Sequence, residues 1–346
     1  MKKKKILVVL LSLAMVATMS FAFTGCGSKS SGSSSSDTIT LHMASTVSTT
    51  HVWYKDAQTF AKTVEDGTDG KVKVSLDFAG VHGSDVDNAQ GVQDGTIDLY
   101  IGSTVGFDGV VPAIDFLNLP YFITSYDDAD KLIYNDGWAG KLLQKDAEAA
   151  GYKWLGVTDC DFRWLSSSKK ITNVSDLKGM KMRVPEAPMF LNFFKNLGCS
   201  PTAMAITEVA SALQQGTIDG QDNGPILSYT YGFHQFNKYW LKTNHSFAAA
   251  VVVMNPDSWG KLSADQQKVL QDAADTYCED VKTDLRAEVK TDEQGMKDAG
   301  CVITEPNEAF KTAMQKAAYK VWQDKDVTKT MDQEAITKML KDAGLN

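Results

Sequence analysis

The residues best suited to chemistry are an arginine and an asparagine at the ends of two short predicted strands. Arg183 comes near the end of a segment that reads KMRV, and Asn223 follows the turn GTIDG at residues 216–220. Arginine stays charged and presents a planar fork of donors that fits both oxygens of a carboxylate. This pattern predicts a site that can hold a carboxylate ligand. The alternative is an ordinary strand arginine in a surface ion pair.

A short internal repeat indicates two lobes with ligand-facing edges. Residues 92–98 (VQDGTID) recur as residues 213–219 (LQQGTID). Each copy ends a predicted helix with glycine, which accepts the left-handed conformation that a helix C-terminus needs. Each then begins a strand, and ligands of open α/β sheets bind beyond the carboxyl ends of the strands. Two such edges facing each other would enclose a cleft, unless the two turns are chance uses of a common motif.

The elements that must position these residues follow an α/β pattern. Strand, helix, strand, helix and strand alternate over residues 38–101, which is typical of a parallel sheet. Residues 127–150 are predicted to form one helix. Residues 247–254 are almost wholly apolar, as in a strand buried on both faces. After Ser263 the chain is predicted to be helical apart from a strand at 302–304, and its long charged helix should run between the lobes.

The N-terminus has the pattern of an export signal with a lipid attachment site. Four lysines at positions 2–5 precede an apolar stretch over residues 6–23, and the sequence FTGC ends at Cys26. This pattern predicts a lipoprotein signal peptide over residues 1–25 with Cys26 lipidated. Residues 26–36 are rich in serine and glycine and should form a flexible tether. The alternatives are a plain signal peptide or an uncleaved anchor.

Charge and length narrow the class of protein. Cleavage would remove 25 of the 346 residues and leave a chain long enough for about two domains. Loss of the four N-terminal lysines leaves 31 basic and 43 acidic residues, a net charge of −12. That charge argues against nucleic acid as a partner, and an anionic ligand must be captured by local cations. No later stretch is long and apolar enough to span a bilayer.

The sequence contains no recognisable catalytic, metal or cofactor motif. It has no Gly-x-Ser-x-Gly elbow, no phosphate loop and no histidine or cysteine spacing of a metal site. We therefore expect a protein that is not an enzyme and uses no cofactor or metal. No Cys-x-x-Cys pair is present, and free buried thiols are expected. The cysteines after Cys26 are Cys160, Cys199, Cys278 and Cys301.

Ordered motifs give the mature chain a family resemblance. They are DGTID at 94–98, LPYF at 119–122, DLKGMKMRVP at 176–185, DGQ at 219–221 and TNH at 243–245. The chain resembles the solute-binding component of tripartite ATP-independent periplasmic (TRAP) transporters, of the dicarboxylate-binding type and in lipoprotein form. The resemblance implies an α/β, two-lobed periplasmic-binding-protein fold with a ligand cleft between the lobes and a long inter-lobe helix. The implied bounds are 37–160 plus 249–288 for lobe one and 161–248 plus 289–346 for lobe two.

The resemblance also assigns ligand-binding roles to residues of both lobes. Arg183 matches the family's characteristic arginine, which pairs with a ligand carboxylate, and Arg163 matches a second ligand-facing arginine. The other polar contacts implied are Asn223, Glu186, Ser103 and Thr46. Members that bind sialic acid, four-carbon dicarboxylates or sugar acids share the arginine. The motif therefore predicts a carboxylate without naming it.

The residues at four positions do not determine the shape of the pocket. Ile206 stands where the family usually has an aromatic residue, and Ala210 stands where it has tyrosine. Both changes would enlarge or flatten that side of the pocket. Trp164 either replaces some of the lost aromatic surface or belongs to the core. His51 either contacts the ligand or simply begins the first helix.

The function implied is that of an extracytoplasmic receptor anchored to the membrane by lipid. It would capture a small organic acid and, as a monomer, deliver it to a permease with a small and a large membrane subunit. Two alternatives share this architecture, namely the binding lipoprotein of an ATP-driven importer and the ligand-binding part of a surface sensor.

Overall fold

Two mixed sheets organise residues 38–345, which are those that the computed structural model describes. The strands in chain order are β1 (Ile39–Ala44), β2 (Val72–Asp77), β3 (Leu99–Ser103), β4 (Lys153–Phe162), β5 (Trp164–Ser167), β6 (Lys181–Val184), β7 (Ser200–Ala203), β8 (Gly220–Asn223), β9 (Tyr239–Leu241), β10 (Phe247–Met254) and β11 (Val302–Thr304). The predicted signal peptide, the Cys26 lipidation site and the Ser/Gly tether lie outside the described residues.

Helices cover the faces of both sheets. They are α1 (Val52–Gly67), α2 (Asp85–Asp94), α3 (Thr104–Phe107), α4 (Tyr126–Leu132), α5 (Trp138–Ala149), α6 (Pro188–Asn196), α7 (Val209–Gln215), α8 (Pro225–Thr230), α9 (Pro256–Gly260), α10 (Ala264–Asp298), α11 (Glu308–Trp322), α12 (Lys325–Thr328) and α13 (Gln333–Asp342). The α/β fold class predicted from the sequence is confirmed.

The first sheet has the strand order β2-β1-β3-β10-β4. Strand β1 pairs in parallel with β2 and β3, as the alternating pattern predicted. Strand β10 runs antiparallel to both β3 and β4, and every one of its eight residues is buried. Its uninterrupted apolar sequence is therefore explained by cover on both faces.

The second sheet has the strand order β11-β9-β5-β8-β6-β7. Strand β6 pairs in parallel with β7 and β8, whereas β5 is antiparallel to β8 and β9. The chain passes from the first sheet to the second at Arg163, between β4 and β5, and returns through residues 242–246 before β10. These connections are short, so the edges of the two sheets stay close together.

Helix α10 gives the chain a third connection between the two sheets. A capping box between Ser263 and Gln266 begins it. It packs first against helix α1 and against strand β4 of the first sheet, and then against helix α8. Near its end Met296 is buried in a core cluster with Trp240 of the second sheet. The prediction of a long inter-lobe helix is confirmed.

The prediction of one helix over residues 127–150 is wrong. The structure has two helices there, α4 and α5, separated by a turn in which Asn135 and Asp136 have φ of 51° and 66°. Asn and Asp tolerate this left-handed region better than other side chains, and Gly137 follows them as the N-cap of α5. The turn chemistry of this segment outweighs its helical spacing.

The internal repeat has the same backbone form in both copies. Gly95 ends α2 with φ of 75°, and Gly216 ends α7 with φ of 68°. The aspartates three residues later, Asp98 and Asp219, each accept a hydrogen bond from a backbone N–H of the adjacent parallel strand, at 2.8 and 2.9 Å respectively. The repeat therefore ties each helix-to-strand turn to the neighbouring strand of its sheet, and both aspartates act structurally.

We expect Gly216→Ala to lower the free energy of unfolding by about 1 kcal/mol, because alanine is strained at positive φ. A Cβ at this position would meet no atom within 4 Å, so the effect reports backbone conformation alone. Gly260→Ala is the matched control, since it also meets no atom within 4 Å and lies outside the positive-φ region. Urea unfolding of both variants checks the prediction, which fails if they are equally stable.

The four cysteines in the described part of the chain are buried and free, as predicted. Burial raises the pKa of the Cys160 and Cys199 thiols to about 12, so both are unreactive thiols at neutral pH. No helix among residues 38–345 has the length and apolar character needed to cross a bilayer.

Candidate functional site

A cavity lies between the two sheets, with an empty space of about 630 Å³ that includes its opening to solvent. Its wall combines residues that follow strands of the first sheet with residues from β6, β8 and their loops. Seven of the nine residues proposed from the sequence line it. They are Arg183, Arg163, Asn223, Glu186, Ser103, Thr46 and Ile206.

The carboxyl ends of strands bring these side chains together. Thr46 follows β1, Ser103 ends β3, Asn223 ends β8 and Arg183 is next to last in β6. Ligands of open α/β sheets bind at this edge, where loops can present side chains that the flat sheet would bury. The local sequence pattern therefore places one polar edge from each sheet on the cavity.

Arg183 is buried and has no acidic partner. Its Nε and Nη2 donate to the carbonyl oxygen of Met204 at 2.9 and 2.6 Å. A guanidinium has five N–H donors, so three remain, two of them on Nη1. No carboxylate of the described residues lies within 4.0 Å of it. Burial and the nearby charge of Arg163 lower the pKa of Arg183 to about 10, which leaves it charged at neutral pH.

Arg163, in contrast, already has a counter-ion. Its Nε donates to Oδ2 of Asp222 at 2.8 Å, and its Nη2 donates to the carbonyl of the same residue. Its guanidinium also lies 5.0 Å from the ring centre of Phe190. Although burial raises the pKa of Asp222, the charge of Arg163 and the hydrogen bond from His245 leave it below its ordinary value. Arg163 therefore adds hydrogen-bond donors to the cavity but no net charge.

His245 supports this ion pair from behind. Its Nε2 lies 3.2 Å from Oδ2 of Asp222, and its Nδ1 lies 2.8 Å from the hydroxyl of Thr243. Burial lowers the pKa of His245, so the ring is neutral at neutral pH, donates to Asp222 and accepts from Thr243. The ring also stacks on Phe193 at 5.5 Å. The histidine fixes the orientation of the carboxylate that holds Arg163.

Asp85 lines the cavity from the first sheet's side and was not proposed from the sequence. Its Oδ1 accepts hydrogen bonds from the hydroxyls of Tyr100 at 2.8 Å and Thr46 at 3.0 Å. Burial raises its pKa, and these two bonds and the charge of Arg183 oppose that shift. Asp85 is the first residue of α2. Its position shortly after β2, at the same sheet edge as Thr46, is the feature of the sequence that could have indicated a place on the cavity wall.

A second buried carboxyl on the cavity wall is that of Asp108. Burial and the neighbouring carboxyl of Asp115 raise its pKa well above its ordinary value, which favours the protonated form. Glu186 lines the cavity too, at an exposed position. Asn223 uses one amide hydrogen to donate to Oε1 of Gln221 at 2.6 Å, which leaves its oxygen free for a ligand. The wall therefore offers acceptors as well as donors.

Trp164 does not line the cavity. It packs in a core cluster with Val209 and Trp240, and its indole N–H donates to Oδ1 of Asn244 at 2.7 Å. Successive side chains of a strand point to opposite faces, so a cavity-facing Arg163 places the next residue on the other side. Of the two roles left open for Trp164, the structure places it in the core.

His51 does not line the cavity either. It is fully buried and caps α1 by accepting a hydrogen bond from the backbone N–H of Trp53 at 3.2 Å. Burial lowers its pKa to about 3, so the ring is neutral. Trp53, two residues further on, lines the cavity in its place and supplies an aromatic wall. Ile206 faces the cavity at the position where the family usually has an aromatic residue.

Comparison with known proteins gives one family for the chain. The family described as "Bacterial extracellular solute-binding protein, family 7" matches residues 43–328. A solute-binding protein of Verminephrobacter eiseniae is 35% identical over 217 residues, which is 62% of this chain and 64% of that protein. The sialic acid-binding periplasmic protein of Vibrio cholerae is 30% identical over 80% of this chain and 86% of its own.

A solved structure has the same fold. It is a TRAP periplasmic solute-binding protein from Haemophilus influenzae with bound L-gulonate. The TM-score is 0.81 at 26% sequence identity, and the alignment covers 88% of this chain and 99% of that one. Among residues 38–345, no group of three or more histidine, cysteine or acidic side chains is arranged to hold a metal ion.

Proposed function

Because the chain belongs to the bacterial extracellular solute-binding proteins of family 7, we propose that it captures a small organic acid in the cavity between its two sheets and delivers it to a TRAP-type permease. The relatives named above bind sialic acid and L-gulonate, which are both hydroxylated acids. The ligand of this chain would be an acid of similar size, such as a sugar acid or another small carboxylate.

The observation that carries this proposal is the buried and unpaired guanidinium of Arg183. A buried charge without a partner is unfavourable, and a ligand carboxylate would supply the missing counter-ion. The Met204 carbonyl occupies the Nε side of the fork, so the Nη1 and Nη2 end is left for the two carboxylate oxygens. The site needs an anion to be complete.

The two sheets would act as the cores of two lobes that close on the ligand. The bounds expected from the sequence are 37–160 plus 249–288 for lobe one and 161–248 plus 289–346 for lobe two. The backbone N–H of Asp332 donates to the carbonyl of Ala113 at 2.8 Å, so we propose one change, which moves the chain from Asp332 onward to lobe one. Closure by rotation at the short connections would bring Asp85 and Arg183 onto one ligand.

The receptor as a whole is proposed to be an extracytoplasmic monomer, attached to the membrane through a lipid on Cys26 and the tether of residues 26–36. It performs no catalysis, and a permease with a small and a large membrane subunit takes the ligand from it. The lipobox-like sequence before Cys26 supports the anchor.

A thermal-shift screen of the purified protein tests the proposed function. The panel includes four-carbon diacids, sugar acids, sialic acid, aromatic acids and keto acids, with neutral sugars and amino acids as controls. A ligand that binds only the folded protein, at a free concentration about one hundredfold above its Kd, should raise the Tm by about 4 °C. We expect such a shift with carboxylates and its loss in Arg183→Ala. Shifts with neutral solutes alone would contradict the proposal.

A further inference from the structure

A tyrosine outside the cavity joins the two sides of the molecule that form the cavity walls. The hydroxyl of Tyr231 donates a hydrogen bond to the backbone carbonyl oxygen of Thr46 at 2.6 Å. Thr46 follows β1 of the first sheet. Tyr231 follows α8, and its ring stacks on Phe233, which packs in a core cluster with Trp240 of the second sheet. The bond therefore connects the first sheet's side of the cleft to the second sheet's side.

The carbonyl oxygen of Thr46 has no backbone partner among the described residues. The carbonyls on either side of it, those of Ser45 and Val47, accept hydrogen bonds from the loop after β2. On the opposite side, β1 pairs with β3 only as far as Ala44. Thr46 is 4% exposed, and a buried carbonyl without a partner is unfavourable. Tyr231 supplies the hydrogen bond that the sheet does not.

The two rims of the cleft also approach each other at a second place. Gly80 lies in the turn after β2, and a Cβ built on it would lie 3.2 Å from Cγ2 of Thr207, directly before α7. The backbone N–H of Gly80 donates to the carbonyl of Ser45 at 3.1 Å, so this turn is fixed to the segment that carries Thr46. The structure therefore shows the rims in contact, which is the arrangement in which the Tyr231 bond forms.

Tyr231 has no direct access to a ligand in the cavity. The residues that line the cavity include Leu227 of α8 but not Tyr231. Its partner is a backbone atom, so its bond does not compete with the Thr46 hydroxyl, which donates to Asp85 at 3.0 Å. Burial raises the pKa of Tyr231, so the phenol keeps the proton that it donates. The residue can affect binding only through the arrangement of the walls.

We propose that Tyr231 is a latch that holds the two sides of the receptor together around a ligand, and that it sets the affinity for every ligand without touching any of them. This proposal rests on the proposed function, in which two lobes close on a captured acid. A receptor that must close to bind has an apparent Kd that rises as the fraction of closed protein falls. Tyr231 is therefore a positioning residue.

The variant Tyr231→Phe removes the latch oxygen and keeps the ring that stacks on Phe233. One intramolecular hydrogen bond typically changes an equilibrium constant by about three- to tenfold. We expect the Kd of two unlike carboxylates from the panel to rise by this same factor, mainly through faster dissociation, because the latch forms after the ligand enters. Tyr229→Phe, a change on the same helix at a residue that is 36% exposed, is the control and should bind normally. Calorimetry and stopped-flow dissociation measure both variants.

Single-molecule FRET measures closure itself. The dyes are attached to cysteines introduced at two exposed positions, Lys62→Cys on α1 of lobe one and Lys195→Cys on α6 of lobe two. At matched ligand occupancy, we expect the ratio of closed to open molecules to fall about three- to tenfold in Tyr231→Phe. A residue that only supported the fold of α8 would change the stability of the protein and leave this ratio unchanged.

The outcomes separate this proposal from the proposed function. Unchanged affinity and an unchanged ratio of closed to open molecules in Tyr231→Phe would overturn the latch. A loss confined to one of the two carboxylates would also overturn it, because Tyr231 would then be a ligand contact. Neither result affects the receptor function, which depends on carboxylate binding and its loss in Arg183→Ala. If only neutral solutes bind, the proposed function fails, and the closed fraction measured with such a solute still decides the latch.

Discussion

Replacing Arg183 by alanine should weaken binding of the captured carboxylate about a hundredfold or more. Arg183 is 3% exposed and has no acidic partner within the described residues, so the ligand would be its only counter-ion. Breaking a buried ion pair from one side costs about 3–5 kcal/mol. Since about 1.4 kcal/mol corresponds to a factor of ten in affinity, the expected loss is large enough to measure by calorimetry.

The substitution Arg183→Lys separates charge from geometry. Lysine keeps the positive charge but cannot donate to the Met204 carbonyl and hold both carboxylate oxygens with a planar fork. We expect it to lose most of the affinity as well. Lys181→Ala, an exposed change on the same strand, is the control and should bind normally. Near-normal affinity in Arg183→Lys would refute the two-pronged contact.

Replacing Asp222 by asparagine should lower the free energy of unfolding by about 3–5 kcal/mol, because a buried pair loses one partner. The side chains of Arg163 and Asp222 are 5% and 0% exposed, so Arg163 would remain charged, buried and beside Arg183. Asp272→Asn is the control, since its pair with Lys268 is exposed and contributes about 0–1 kcal/mol. Urea unfolding in the absence of ligand measures the free energy of unfolding of both variants.

The Arg163–Asp222 pair also predicts how the stability of the protein changes at acidic pH. The folded-state pKa of Asp222 lies below its ordinary value of 3.8, so its stabilising contribution is complete above about pH 4 and is lost as the pH falls through the folded-state pKa. The stability difference between wild type and Asp222→Asn should therefore shrink in strong acid. A difference that is small at pH 7, or that grows on acidification, would contradict the role given to the Arg163–Asp222 pair.

The sequence predicted the strand-end residues of the site because strand ends have a local signature. Arg183 and Asn223 lie at or near the ends of short strands that the sequence predicted, and the glycine of each repeat marks where the next strand begins. Once the strands are known, the ligand edge of a parallel sheet is known too. Asp85 was missed because its side chain reaches this edge from a helix start, where acidic residues are common for other reasons.

The direction of neighbouring side chains could not be predicted. His51 and Trp53 lie two residues apart, yet only Trp53 lines the cavity, because His51 turns inward to cap α1. Arg163 and Trp164 point to opposite faces where β4 gives way to β5. Whether Arg163 or Trp164 points into the cavity depends on where the second sheet lies. That position is set by contacts between residues distant in the sequence. Charge compensation of Arg163 by Asp222 depends on the same packing.

The most direct test of the central claim is the crystal structure of the protein with a bound acid from the thermal-shift panel. We expect the ligand between the two sheets, with its carboxylate oxygens within hydrogen-bond distance of Nη1 and Nη2 of Arg183. A ligand whose carboxylate lies elsewhere, with Arg183 still unpaired, would contradict the account.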